Sequence, residues 1–266
     1  MSTTPSNPTP EPRRFFSRQP RPPCICMATF GLIVIAAGLR VGIPIYRQHA
    51  AIRAIQRLGG NYYLESQPPG LLERYVGDEW ASKFVKVEHV GLNETQVTDP
   101  GLEYLDWLPS LKSLDLCRSN VSDQGLAHVR TQTNLNYLNL CLTPISDAAL
   151  AHLQKLTNLE HLYLSDTGVT NDGVHLLQQL SSLQAISLDG TEVNGSGLIH
   201  LAGLPSIMSL FLGGAHLCDA DLEPIKRFSG LKELWLDAPQ VSHEALSELK
   251  TVLPGLVIHT DLAHYR

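Results

Sequence analysis

The chain is 266 residues long, 43% hydrophobic and 17% charged, with 20 Lys+Arg against 26 Asp+Glu and a formal net charge of −6. The imbalance lies beyond Arg47, where fourteen basic residues face twenty-five acidic ones, a net of −11. So acidic a domain argues against a nucleic-acid partner and against lying on an anionic lipid surface.

Residues 1–23 hold seven prolines and four arginines among Ser and Thr. That composition builds no core and predicts a disordered tail. Residues 24–39 carry no charge, Arg40 interrupts, and Val41 to Tyr46 resume the apolar character. The length suits roughly 30 Å of hydrocarbon with Arg40 snorkelling to the interface. Residues 24–46 are therefore expected to form a single-pass transmembrane signal anchor. A cleaved signal peptide, cut near Ile35-Ala36-Ala37, and a buried soluble helix are the competing readings. Arg13, Arg14, Arg18 and Arg21 outnumber Arg47, Arg53 and Arg57. The count favours the N-terminus inside and the remainder of the chain outside the cytoplasm.

Residues 47–86 read as a juxtamembrane segment and N-terminal cap. Ala51 to Leu58 predict a short helix ending at Gly59-Gly60. Asn61 to Leu64 suit a strand. Leu71 to Val76 and Asp78 to Phe84 look helical, with Trp80 as an apolar plug.

From 87 to 261 the sequence repeats every 24 residues. Frames open at Val87, Leu111, Leu135, Leu159, Leu183, Ile207 and Leu231, and a truncated copy opens at Leu256, one residue late. Seven frames in phase define a solenoid. Each begins L-x-x-L-x-L, as in Leu135, Leu138 and Leu140, with the period-two alternation of a short strand. A β-branched inward residue comes next in most frames (Val121, Ile145, Val169), then a small polar one. Thr98, Ser122, Ser146, Thr170, Asn194 and Ser242 suit helix N-caps. Asp99, Asp123 and Asp147 follow, where an acid suits the positive end of the helix dipole. Leucines three apart, such as Leu102, Leu105 and Leu108, then mark one face of a short helix. Residues 262–266 are a tail.

The frame from Leu135 to Leu150, with T-x-V/I-[ST]-D-x-G/A-L-x-x-L after its leucine core, resembles the leucine-rich repeat superfamily. It is most similar to the 24-residue variety of bacterial, planctomycete-like, membrane-anchored proteins. The resemblance implies an α/β fold: a leucine-rich repeat solenoid with a curved parallel β-sheet and short helices on the convex side. It covers about two thirds of the chain and says little of function. The family's usual Asn/Cys position holds Thr95, Ser119, Thr143, Thr167 and Thr191 here.

The concave face of such a sheet is its usual binding face. The outward columns place Tyr137, Tyr163, Phe211 and Trp235 there, with His161 and Lys232 beside them. Aromatic groups are enriched at interface hot spots. These six residues are the candidate contacts for a protein partner, against the alternative of scattered surface aromatics. His128, His152 and His200 share a helical column but fall short of a metal ligand set. Cys117 and Cys141 occupy one frame position in adjacent repeats, within reach of a disulfide. His89, Ser113 and Asp115 lack the pocket and oxyanion hole a nucleophile needs. No phosphate loop, dinucleotide fingerprint or nucleophile elbow is present, so neither an enzyme nor a cofactor is expected. The leading expectation is a membrane-anchored binding protein. A structural scaffold or surface component is the alternative, and a hydrolase comes third.

Overall fold

The computed structural model describes residues 42–64, 86–215, 217–237 and 240–260. The chain divides into two units, Met1–Ile43 and Pro44–Arg266. Most of the expected anchor, the helices expected at Leu71–Val76 and Asp78–Phe84, and Trp80 lie outside the described residues.

Among the described residues nine strands form one sheet in sequence order: β1 (Asn61–Leu64), β2 (Val87–Gly91), β3 (Ser113–Asp115), β4 (Tyr137–Asn139), β5 (His161–Tyr163), β6 (Ala185–Ser187), β7 (Ser209–Gly213), β8 (Glu233–Asp237) and β9 (Val257–His259). β1 runs antiparallel to β2, and every later pair is parallel. Each parallel strand pairs with residues 24 positions on, so Leu114 faces Leu138, Leu138 faces Leu162, and Leu210 faces Leu234. In the three-residue strands β3, β4 and β5 only the central leucine points inward, while its neighbours face out. Stacking turns these leucines into continuous buried columns, with Leu111, Leu114, Leu116, Leu135, Leu138 and Leu140 all at 0% exposure. One repeat alone cannot bury such a stripe, and its neighbours complete it.

A tight turn ends each strand. Its central residue is left-handed in six successive frames: Glu94, Arg118, Leu142, Asp166, Gly190 and Gly214, at φ between 53° and 68°. In four of these frames the next residue is a buried threonine whose hydroxyl closes the turn. Thr95, Thr143, Thr167 and Thr191 each donate Oγ1–H to the carbonyl three residues back, at 2.5–2.7 Å. The departures from Asn/Cys thus form a column of threonines satisfying buried backbone acceptors. Ser119 stands in the same column with its Oγ buried and without a hydrogen-bond partner.

The acids at the helix starts act chiefly across repeats rather than on their own helix dipole. Asp99 accepts both the N–H and the hydroxyl of Ser122, at 2.7 and 2.6 Å. Asp123 holds Ser146 the same way, and Asp147 holds Thr170. Asp123 and Asp147 thereby clamp the N-cap of the following helix, whereas Ser122 lies three residues ahead of Gly125, the N-cap of its own. Asn171 continues the series by accepting the Asn194 N–H. Gly173 leaves room for one such clamp, since a Cβ there would stand 2.2 Å from an Asp147 oxygen.

The helical half is mixed. α-Helices cover Leu126–Val129, Asp147–Leu153, Asn171–Val174, Gly195–Leu201 and His243–Val252. Asp99–Trp107, His175–Gln179, Asp219–Leu222 and Ile225–Arg227 are 3-10 helices instead. Leucines three apart match the three-residue turn of a 3-10 helix, and Leu102 and Leu105 are both buried on it.

A helix over residues 42–57 precedes the sheet and starts before the expected Ala51. Pro44 in its first turn is compatible with a helix. Gly60 N–H bonds the Ile55 carbonyl and Gly59 N–H that of Gln56, with Gly59 at φ 82°. That double bond is a Schellman ending. Ala51 and Ile55 are buried in the same core as Leu92. At the far end Leu256 does come late, its N–H bonding Leu253 as that of Leu231 bonds Phe228. Val257 is nevertheless back in step, opposite Glu233.

Candidate binding face

The two outward positions of each strand make two columns across the sheet. Glycine, serine, alanine and asparagine in these columns leave the rings of their neighbours free to meet. Tyr137 lies 5.5 Å from Tyr163, centroid to centroid, and 6.3 Å from His161. Tyr163 reaches Phe211 at 6.5 Å, although a whole strand separates them. That strand, β6, presents only Ala185 and Ser187 at its outward positions, and both are buried. Phe211 stacks on Trp235 at 5.7 Å with planes 11° apart. Trp235 in turn stacks on His259 at 3.8 Å and 11°. Five of the six expected contacts thus belong to one continuous ladder, half-buried along its length. Lys232 is exposed in the adjoining column, beside the ladder rather than in it.

His259 was missed at the sequence level. It stands 24 residues beyond Trp235 and pairs with it in the sheet. Opening the last frame at Leu256 puts Thr260 in that column instead, which hides the histidine. Tyr63 of β1 adds a ring 6.4 Å from His89 at the other end.

A polar network runs beside the ladder. Ser187 donates to Asp189 at 2.9 Å and shares a 2.6 Å hydrogen bond with Ser165. Asp189 also accepts the Gly213 N–H. Asp115 accepts the Cys117 N–H at 3.0 Å, and Asn139 accepts that of Cys141 at 3.1 Å. Burial pushes the Asp115 and Asp189 carboxyls above their ordinary value. Burial, with the nearby Asp115 charge, raises the Tyr137 phenol to about 12. The Tyr163 phenol and the Cys117 and Cys141 thiols also rise, burial again being the first cause. Both thiols are free. His89 and Ser113 sit side by side on adjacent strands, and Asp115 directs Oδ1 to the Cys117 amide. On the helical side His128 meets Asp106 at 3.1 Å and His200 meets Gln178 at 3.0 Å.

Buried leucine columns, strands in 24-residue steps, left-handed turns and short returning helices define a leucine-rich repeat fold. The chain matches no protein-family model and no curated protein. Among solved structures it is similar to internalin C2, a leucine-rich repeat protein from Listeria monocytogenes str. 4b F2365. The identity is 23%, over 66% of this chain and 81% of that one, with a TM-score of 0.51. At that identity the likeness speaks for the fold alone.

Proposed function

We propose that this protein binds a protein partner through the outward, concave face of its sheet. Tyr137, Tyr163, Phe211, Trp235 and His161 are its contact residues, and Lys232 lies at the rim. The aromatic ladder carries this reading. Rings held by one another lose little freedom when a partner covers them, which lowers the entropic cost of binding. Half-buried aromatics at the centre of a face are the usual hot-spot type. The function is recognition rather than catalysis, and it uses no cofactor.

Membrane anchoring belongs to the same proposal. The apolar run of residues 24–46 and the resemblance of the repeat to bacterial membrane-anchored proteins support it. No helix among the described residues is long and apolar enough to cross a membrane. Ile43 and Tyr46, at the edge of the run, are 44% and 68% exposed, as residues reaching towards lipid would be. The repeats then lie outside the cytoplasm. A reporter fused to the C-terminus reads this directly: extracytoplasmic signal with an intact N-terminus is expected, and cytoplasmic signal reverses the orientation.

Capture from an extract of the native host tests the binding face. Replacing Tyr163, Phe211 and Trp235 together by Ala is expected to abolish recovery of the stoichiometric partner while the melting transition stays cooperative. Undiminished recovery would remove the face from the account.

A further inference from the structure

The charge pattern around the ladder defines the kind of partner segment it fits. Three columns make the centre of the face: the two outward strand positions, and the position two residues further on, held by Cys117, Cys141, Ser165, Asp189, Gly213 and Asp237. Among the described residues of these columns stand four carboxylates, Asp115, Asp189, Glu233 and Asp237, and no Lys or Arg. The basic groups nearby are set at the margins: Lys112 pairs with Glu88 at 2.6 Å, Arg118 with Glu94 at 2.9 Å, and Lys232 is exposed in the column next to the ladder. The centre is therefore of one sign, and its aromatic surface is bordered by acids.

The ring geometry divides the ladder in two. Tyr137, Tyr163 and Phe211 are tilted to one another by 47° and 50°, so parts of their π-faces stay open. Asp115 and Asp189 flank that half. Phe211, Trp235 and His259 are stacked, so they offer outward edges rather than faces. A cation gains from an open aromatic face and from a neighbouring carboxylate. A stacked edge favours apolar contact instead.

From this arrangement we infer that the face takes an extended, cationic segment of a protein partner. Its Arg or Lys side chains lie over Tyr137 and Tyr163, between Asp115 and Asp189. Its apolar continuation lies on Phe211–Trp235–His259. The two acids are three strand steps apart across the sheet and two residues apart along it, about 16 Å. That distance is spanned by about five residues of extended chain, which sets the spacing of the two basic side chains. Partly buried carboxylates are awkward to ionise alone, and an incoming guanidinium or ammonium relieves that cost.

The inference rests on the outward face being the binding surface. Its test uses the full chain and a dye-labelled octa-arginine peptide, with octa-glutamate as the opposite probe, read by fluorescence anisotropy. Octa-arginine is expected to bind and octa-glutamate not. Asp115→Asn with Asp189→Asn is expected to weaken octa-arginine about tenfold. Should that pair disturb folding, Asp115→Asn alone, which keeps an acceptor oxygen for the Cys117 N–H, is expected to weaken it about threefold. Glu103→Gln with Glu244→Gln removes the same charge from the helical side and is expected to leave binding unchanged. Equal weakening by the two pairs, or no octa-arginine binding, overturns the inference. If octa-arginine fails while the triple alanine variant still loses the native partner, the binding face stands and only its charge assignment falls.

Discussion

Leu142 holds a left-handed backbone at φ 55° with its side chain 43% exposed. An L-residue there is strained by roughly 1–2 kcal/mol, and Asn tolerates the region better. Leu142→Asn is expected to raise the urea midpoint, adding about 0.5–1 kcal/mol, and a lowered midpoint would show that the leucine makes a compensating contact. Thr143→Val keeps the shape but deletes the 2.5 Å hydrogen bond to the Leu140 carbonyl. It is expected to cost about 1 kcal/mol in the same titration. Tyr137 offers a spectroscopic check. Its phenol is raised to about 12, so it stays protonated in the native state while unfolded tyrosines ionise near 10. Stability from this group is full below about 10 and is lost as pH rises through about 12. Alkaline titration at the tyrosinate absorbance should show a late phase that Tyr137→Phe removes. The threonine column was visible in the sequence as a departure from the usual repeat. The left-handed turns were not, because only Asp166, Gly190 and Gly214 at that position favour such a backbone, while Glu94, Arg118 and Leu142 do not.

At the scale of elements, the clamp between repeats matters more than helix propensity. The four-residue helices here are too short to be stable alone. Asp123 holds the next helix through the N–H and hydroxyl of Ser146. Asp123→Ala is expected to cost about 2 kcal/mol, since both bonds go to a charged acceptor. Asp123→Asn should recover part of that loss, as it keeps one acceptor oxygen. Hydrogen exchange would place the faster amides in the Ser146 repeat first. The sequence gives these acids a local reading because their partners lie 23 residues away. Likewise, leucines three apart fit either kind of short helix, and packing decides between them. His259 escaped for a related reason: β9 returns to step only through its pairing with β8, which no local pattern reveals.

The described repeats form a stack in which each depends on its neighbours. Leu138 is fully buried between Leu114 and Leu162 in the sheet. Leu138→Ala is expected to cost about 2–5 kcal/mol. Leu138→Asp, which buries an unpaired charge, should unfold the repeats outright, as loss of the far-ultraviolet dichroism would report. The solenoid was legible from its period because every column repeats the same inward choice. The ladder was legible as a set of residues but not as a continuous surface. Its continuity depends on the small side chains of β6, which let Tyr163 and Phe211 meet.

The central claim is that a partner lies against the outward face of the sheet. Site-specific photo-crosslinking in the native host tests it most directly. A photoreactive residue at Ser209, beside the ladder, should trap a partner of defined mass. One at Ile199, exposed on the helical side, should not. Trapping at Ile199 with none at Ser209 would contradict the account and move the recognition surface to the helices.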